Sequence, residues 1–255
     1  MTEPKFVRKN YGRGHSYYLD GQKIPGVTTI LSDGLAKPAL INWAANTVAG
    51  YAVDHWDSLG EIAISKRLEQ LKKAHYEDRD TAGKRGTEVH KLGEQLLNGV
   101  QVNVPDELAG HVESYVRFLD DFDPDAVLTE TSVVSLTKWP YAGTLDLVAD
   151  FGGVRILCDI KTARSGVFPD NGLQLAAYRY ATHYDAGNGQ LKPMPAVDSC
   201  AVIHVRADGY SFVPVQAGPD EHRFFLYCRE LWRWHNEASK IVVGEELTPP
   251  VKDPA

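Results

Sequence analysis

The chain has few cysteines and no long apolar segment. Its three cysteines, Cys158, Cys200 and Cys228, are odd in number and far apart, so their spacing predicts neither a disulfide framework nor a zinc site. No apolar run approaches the ~18 residues needed to cross a membrane, and residues 1–8 lack the apolar core of a signal peptide. We therefore expect an intracellular, cytoplasmic protein without membrane contact.

An excess of positive charge is also absent. The 255 residues carry a formal charge of −7, which argues against a protein that coats nucleic acid by neutralising many phosphates. An acidic nuclease is compatible with this charge, because carboxylates that bind metal ions count as negative in the sequence. Residues 66–91 differ from the rest, with eight Lys and Arg against five acids. This segment is either a solvated helix face or a surface for phosphates.

The pattern along the chain predicts one α/β domain over residues 1–255. Residues 1–82 are expected to form an N-terminal β-hairpin and helical elaboration, residues 83–205 the core, and residues 206–255 a C-terminal strand and helix. Within the first part, we predict a β unit that includes residues 27–31 and a helix over residues 58–80. A separate helix is expected to begin near Thr87, with this residue or a neighbour as its cap.

A β-hairpin is predicted around Gly152 and Gly153, which stand between two apolar runs. Two glycines favour a two-residue turn, because primed turns need positive φ at both central residues. Such a turn fixes the register, so that residue 151 pairs with residue 154. By continuation, Asp146 is expected to lie opposite Asp159.

The same register predicts how the hairpin divides its side chains between two faces. Side chains alternate along a strand, which places residues 145, 147, 149 and 151 with residues 154, 156, 158 and 160 on one apolar core face. The other face is expected to carry Val148 opposite Leu157, and Asp146 opposite Asp159.

Two opposed aspartates point to a bound cation. Directly opposed residues have Cβ atoms roughly 5 Å apart, and like charges at that distance destabilise a sheet. A divalent ion between Asp146 and Asp159 would offset this repulsion, and carboxylates suit Mg²⁺ or Mn²⁺. Lys161 follows on the same face and could hold a water or a phosphate oxygen beside the metal. The alternative is a pair that is solvated, out of register or neutralised by a distant arginine.

The segments Gly143–Asp146 and Asp159–Thr162 resemble the motif of the PD-(D/E)XK nuclease superfamily. The chain is most similar to its RecB-like branch, which includes phage exonucleases. Three further features support this branch. Gly86–His90 resembles the histidine motif, Glu130 matches an additional acidic position, and Gln174–Tyr178 resembles the Q-x-x-x-Y helix. The resemblance covers residues 83–205, roughly half of the chain, and its motifs occur in the expected order.

The resemblance implies a restriction-endonuclease-like fold, in which helices flank a central mixed sheet. It also implies catalytic roles for Asp146, Asp159, Lys161 and Glu130. The metal ligands would be His90, Asp146, Asp159 and the carbonyl of Ile160. For His90, the alternative is a histidine at the edge of the core that hydrogen-bonds Glu94.

Substrate contacts are expected from a second group of residues. Gln174 and Tyr178 share a helix face and would contact a phosphate or the catalytic carboxylates; the alternative is a tyrosine packed on the sheet with a glutamine at its rim. Phosphate contacts that position the strand without recognising its sequence are expected from Arg164, Lys84 and Arg85.

The activity implied by the resemblance is Mg²⁺- or Mn²⁺-dependent hydrolysis of DNA phosphodiester bonds. An exonuclease of recombination, repair or replication is favoured, with 5′-phosphate products and a recombination or replication protein as partner. A structure-specific endonuclease and a non-catalytic nucleic-acid-binding module on the same scaffold are the alternatives. RecB-like members that act in CRISPR adaptation carry four cysteines for an iron–sulfur cluster. Since this chain has three scattered cysteines, no cluster is expected.

Overall fold

The computed structural model of the protein describes residues 4–12, 14–97, 100, 102–163 and 166–247. The N-terminal part is a three-stranded antiparallel sheet followed by four helices. The strands are β1 (Phe6–Tyr11), β2 (Gly14–Leu19) and β3 (Gln22–Ile24), and the helices are α1 (Val27–Gly34), α2 (Pro38–Asp54), α3 (Trp56–Gly60) and α4 (Ile64–Leu97).

The central sheet has seven strands in the order β10-β9-β6-β5-β4-β7-β8. Only the β6–β9 pair is parallel among the strand pairs of the described residues. Helix α6 lies in the connection between these two strands. The elements are α5 (Ala109–Phe122), β4 (Asp125–Ser135), β5 (Tyr141–Phe151), β6 (Val154–Lys161), α6 (Asp170–Arg179), β7 (His183–Asp185), β8 (Leu191–Pro193), β9 (Ser199–Arg206), β10 (Gly209–Pro214) and α7 (Pro219–Asn236).

Both faces of the central sheet are buried. On one face, Val148 and Leu157 pack in a core cluster with Leu175 of α6 and Phe225 of α7. On the other face, Leu147 packs in a second cluster with residues of α5 and β9. Each fully buried side chain of this size contributes roughly 1.5–3 kcal/mol. The two clusters therefore hold α6 and α7 on one side of the central sheet and α5 on the other.

The predicted division of the hairpin side chains between two faces was wrong for Leu145. Val148 lies opposite Leu157 as predicted, and neither residue has exposed surface, because helices cover this face as well. Leu145 packs in the same cluster as Val148 rather than with Leu147. Alternation along β5 is therefore interrupted between residues 145 and 148, close to Asp146.

The register of the hairpin follows the predicted turn over five residue pairs. Phe151 pairs with Val154, and the pairing continues to Leu147 with Cys158. Gly152 and Gly153 have φ values of +58° and +93°, as a primed turn requires. The paired register ends at Leu147, one residue short of the expected contact between Asp146 and Asp159.

Two predicted elements of the N-terminal part were wrong. Residues 27–31 belong to helix α1, because Val27, Ile30 and Leu31 are buried at helical spacing. The helices expected over residues 58–80 and after Thr87 are joined in α4, which continues through the glycines of this segment. Thr87 does not cap a helix; its hydroxyl donates to the Gly83 carbonyl inside α4 at 3.0 Å.

The predicted fold class is confirmed: a mixed sheet is flanked by helices, and an N-terminal β element and helices are added to it. None of the helices in the described ranges combines the length and the apolar character that a membrane span requires.

Candidate metal and phosphodiester site

The candidate site lies where helix α4 meets strands β4, β5 and β6. His90 of α4, Glu130 of β4 and Asp146 of β5 each point one ligand atom into a space where all three atoms lie within 4.8 Å of one another. The Nδ1 atom of His90 is 3.6 Å from Oε1 of Glu130 and 3.6 Å from Oδ1 of Asp146. Residues from three separate elements thus form one group of potential metal ligands.

His90 is held by its other ring nitrogen. Nε2 lies 2.8 Å from the carbonyl oxygen of Ile160, and a carbonyl can only accept, so Nε2 carries a proton. In a neutral imidazole, Nδ1 then has a lone pair, which faces two carboxylates. That arrangement is repulsive unless a proton or a metal ion lies between them. Burial opposes the charged imidazole, but Asp146 and Glu130 outweigh this effect and raise the pKa of His90 to about 9.

Asp146 is fixed by a backbone donor. Its Oδ2 accepts a hydrogen bond from the amide of Ile160 at 2.6 Å, and only 11% of its side chain is exposed. Burial is the main reason that the pKa of Asp146 rises to about 7. The neighbouring carboxylates of Asp159 and Glu130 act in the same direction, whereas His90 and Lys161 oppose it. A cation beside this carboxylate would remove much of the cost of its charge.

Glu130 lies at a break in the pairing between β4 and β5. The register passes from Thr129–Leu147 to Thr131–Leu145 without a pair between Glu130 and Asp146. Glu130 has a φ of +43°, which is rare for a residue with a long side chain. The hydroxyl of Thr131 donates to the carbonyl of Thr129 at 2.9 Å. Such a conformation costs of order 1–3 kcal/mol and often accompanies a functional site.

Asp159 has a separate set of partners beside this group. It is 2% exposed, and its Oδ1 accepts a hydrogen bond from Nε2 of Gln174 at 2.8 Å. Its Oδ2 lies 2.5 Å from the ammonium of Lys161, and the two side chains form an ion pair.

Gln174 and Tyr178 extend this second set into helix α6. Gln174 accepts from Lys161 at 3.4 Å through Oε1 and donates through Nε2 to the Tyr178 hydroxyl at 3.3 Å. Both residues therefore contact the Asp159–Lys161 pair directly or through one hydrogen bond, which is the position predicted for them. Tyr178 is also buried against the sheet, so the predicted alternative of a packed tyrosine describes it equally well.

Two predicted metal ligands have other partners in the structure. Asp159 is not part of the close group formed by His90, Glu130 and Asp146 within the described residues. Its carboxylate interacts with β6 and α6, whereas Asp146 turns toward α4. The Ile160 carbonyl binds His90 instead of pointing into the group. The backbone of Ile160 therefore holds His90 and Asp146 in place: its carbonyl accepts from His90, and its amide donates to Asp146.

The donor set of the close group fits a divalent metal ion. Two carboxylates and one imidazole suit Mn²⁺, and also Mg²⁺, which binds imidazole less readily. The hydrogen bond from Nε2 to a backbone carbonyl is the usual support for a histidine that binds metal through its other nitrogen. The direction of Nδ1, toward two acids, is the structural observation that supports this fit.

An open groove contains the close group. It has a volume of about 1010 Å³ and runs between the N-terminal sheet and helix α4. Basic side chains line both walls: Arg8 on β1, and Arg79, Lys84 and Lys91 on α4. Of the residues predicted to contact phosphates, Lys84 lines this groove and Arg85 does not. Arg164 lies outside the described residues.

The known proteins do not establish a family for this chain. No protein-family model matches it, and no curated protein does. Among solved structures, it resembles the crystal structure of SSO0001 with 14% sequence identity and a TM-score of 0.34. That match covers 52% of this chain and 63% of the other. A likeness this weak carries no argument about function, so the site is interpreted from its own geometry.

Some residues beside the site were not predicted. Thr144 lies two residues before Asp146 and lines the groove, and its hydroxyl is 2.9 Å from the hydroxyl of Tyr17 on β2. His15, also on β2, lines the groove as well. Thr144 could have been found because it shares the strand face of Asp146 by alternation. The sequence had no such signal for the residues of β2, because their distance from the site depends on how the N-terminal sheet packs.

Proposed function

We propose that the protein is a divalent-metal-dependent nuclease that hydrolyses DNA phosphodiester bonds. The observation that carries this proposal is the orientation of His90. Its Nε2 proton is donated to Ile160, and its Nδ1 faces Glu130 and Asp146 at 3.6 Å each. A half-buried imidazole whose Nδ1 faces two acids is suited to a cation, and the neighbouring Lys161 is suited to a phosphate.

His90, Glu130 and Asp146 would hold the ion. When bound, the divalent ion supplies Lewis-acid activation of water and neutralisation of phosphate charge. Asp159 lies near enough to raise the pKa of both His90 and Asp146, so its negative charge also favours a cation here. The protein contributes a preformed set of ligands, held by one backbone amide and one backbone carbonyl.

Lys161 supplies the positive charge for the reacting phosphate. Burial opposes its ammonium form, but Asp159 and Asp146 outweigh this effect, and the pKa of Lys161 is raised. The side chain is therefore protonated at neutral pH and acts as a hydrogen-bond donor rather than a base. In this proposal it orients the attacking water or binds a non-bridging phosphate oxygen. The water oxygen forms the new bond to phosphorus, and the bond to the 3′-oxygen breaks, which leaves a 5′-phosphate.

The groove supports a nucleic-acid substrate. Arg8, Arg79, Lys84 and Lys91 line it, together with Asp80, Glu88 and Glu94. Positive side chains along an open groove can follow a phosphate backbone without recognising its sequence. The net charge of −7 is thus compatible with binding that is confined to one surface.

Cleavage assays with matched variants test the proposal. Labelled linear, circular and single-stranded DNA are incubated with the protein in Mn²⁺, Mg²⁺ or EDTA. Wild type should cleave only with metal, and Asp159→Ala or Lys161→Ala should reduce the rate by at least about 10²-fold. Arg155→Ala is the control, because Arg155 lies on the same strand but pairs with Asp150 in a half-exposed ion pair. Retained metal-dependent cleavage by either site variant would refute the assignment.

The same experiment separates the alternatives. Degradation of linear DNA alone identifies an exonuclease, and nicking of closed circles identifies an endonuclease. DNA binding without cleavage in either metal would identify a non-catalytic binding module. Calorimetric titration with Mn²⁺ provides a second, independent result: wild type should bind, and absence of uptake would rule out the metal site.

A further inference from the structure

A second cavity adjoins the proposed nuclease site. It has a volume of about 540 Å³ and lies between β2, β3, the start of α1, strand β5 and helix α7. We refer to it as the α1 pocket, and its lining includes Tyr17, Thr28, Thr144, Tyr178 and Trp232. Its volume falls within the roughly 300–1,000 Å³ of small-molecule sites in proteins.

The α1 pocket and the groove meet at two residues. His15 and Thr144 line both, and the hydroxyls of Thr144 and Tyr17 are 2.9 Å apart at this junction. Thr144 precedes the candidate ligand Asp146 by two residues. On the other side, Tyr178 lines the pocket and reaches Asp159 through Gln174. A molecule in the α1 pocket would therefore be next to Asp146 of the close group and next to the Asp159–Lys161 pair.

The lining of the α1 pocket combines aromatic and polar side chains. Trp232 provides a half-buried ring, whereas Tyr17 and Tyr178 are only 4% and 3% exposed at the pocket wall. Thr28 provides a hydroxyl, and the exposed Lys23 and Glu237 add one charge of each sign. A nucleotide presents an apolar ring face, hydrogen-bonding edges and a negative phosphate, and proteins bind these with such groups. A base-paired duplex is too large for a cavity of this volume, whereas one unpaired nucleotide is not.

We infer that the α1 pocket binds the terminal nucleotide of a DNA strand whose backbone follows the groove. This inference rests on the proposed function and deepens it, because a pocket for a strand end specifies cleavage from ends. The nucleotide released by cleavage is a deoxynucleoside 5′-monophosphate, so the free product should bind to the same pocket. Binding of this product does not require catalysis and can be measured in its own right.

A pocket-filling substitution provides the first test. Thr28 is exposed at the start of α1 and lines the pocket, so Thr28→Trp would place an indole inside it. Ser32→Trp is the matched control, because Ser32 is exposed on the same helix and does not line the pocket. Equilibrium dialysis with radiolabelled thymidine 5′-monophosphate, in Mn²⁺ and in EDTA, gives the affinities. We expect Thr28→Trp to weaken binding by about tenfold or more, since stacking on an aromatic side chain accounts for that much. Ser32→Trp should bind as wild type does.

A charge substitution provides the second test if Thr28→Trp fails to fold. Lys23→Glu should weaken binding of thymidine 5′-monophosphate more than binding of thymidine, because only the former carries a phosphate. Gln22→Glu, an exposed neighbour outside the pocket, should leave both affinities unchanged. Equal binding by wild type and both pocket variants would overturn the inference, and so would a wild type that binds no thymidine 5′-monophosphate at millimolar concentration.

DNA substrates separate the failure of this inference from the failure of the proposed function. Wild type should degrade linear DNA, and closed circles should remain intact. Nicking of circles as fast as linear DNA would overturn the terminal-nucleotide inference and leave the nuclease assignment standing. A wild type that neither takes up Mn²⁺ nor cleaves any substrate would overturn the proposed function, whatever the pocket binds.

Discussion

Replacing Asp146 with asparagine should stabilise the metal-free protein. The carboxylate of Asp146 is buried beside Glu130 and Asp159, and these surroundings raise its pKa from the ordinary value of 3.8 to about 7. The folded state therefore retains a proton on this group that the unfolded state has lost. Stability must fall as the pH rises from about 4 to about 7. Asparagine keeps the shape and an oxygen that accepts from the Ile160 amide, but it has no charge to bury.

The expected magnitude follows from this pKa. Each pH unit between the two values corresponds to about 1.4 kcal/mol, so the ionised carboxylate costs the folded state roughly 4 kcal/mol above pH 7. Asp146→Asn loses part of this gain, because Asp146 also stabilises the protonated form of His90. The raised pKa of His90 adds stability at pH values below about 6.5, and this contribution disappears as the pH rises through 9. We expect a net gain of roughly 1–3 kcal/mol at pH 8, which is about 3–10 °C in Tm for a chain of this length.

Thermal unfolding in EDTA and in Mn²⁺ measures this effect. In EDTA at pH 8, Asp146→Asn should melt above wild type, and the difference should shrink at pH 5. Mn²⁺ at 100 times its Kd should stabilise wild type by about 2.7 kcal/mol and the variant much less. Asp150→Asn is the control on the same strand, because its ion pair with Arg155 is partly exposed and such pairs contribute little to stability. A variant that melts below wild type in EDTA, yet is still stabilised by Mn²⁺, would refute the reasoning.

Three further predictions concern other parts of the chain. Gly143→Ala should destabilise by about 1–3 kcal/mol in urea titrations, because its Cβ would lie 2.4 Å from an aromatic carbon of α6; Gly50→Ala, with open space around the new Cβ, should stabilise by up to about 1 kcal/mol. Lys84→Ala should weaken DNA binding in EDTA and lower the slope of log affinity against log salt by about 0.7–0.9, whereas Lys72→Ala, outside the groove, should leave the slope unchanged. Burial lowers the pKa of His222, so this residue stabilises the fold above about pH 6.5 and the contribution is lost as the pH falls; His222→Phe should therefore reduce the loss of urea resistance between pH 7.5 and pH 5.

Much of the hairpin could be predicted from local sequence. The two glycines at 152–153 fix the turn, and a turn fixes the register of the strands that it joins. The division of side chains between the two faces was also predicted, except for Leu145. Burial of the second face was not local information. Val148 and Leu157 belong to nearly continuous apolar runs, which are typical of strands buried on both sides. The helices that cover the second face decide this, and they come from distant parts of the chain.

The residues of the candidate site were predicted better than their arrangement. The motif resemblance included His90, Glu130 and Asp146, and the structure brings these three together. The electrostatic argument placed one cation directly between Asp146 and Asp159, a pair that the β5–β6 register does not reach. In the structure, Lys161 forms an ion pair with Asp159, while the candidate ligand group forms around His90. Helix α4 contributes that histidine through long-range packing, which a strand-pairing argument cannot include.

The arrangement of the site follows from the interrupted sheet. Pairing fails between Glu130 and Asp146, and the β5–β6 register ends before Asp146. An unpaired backbone group inside a protein must find another partner. The amide of Ile160 therefore takes Asp146 and its carbonyl takes His90. A regular ladder would use these backbone groups to pair strands and would leave both side chains unanchored. The positive φ of Glu130 and the anchoring of Asp146 and His90 thus both occur where β4, β5 and β6 lack regular pairing.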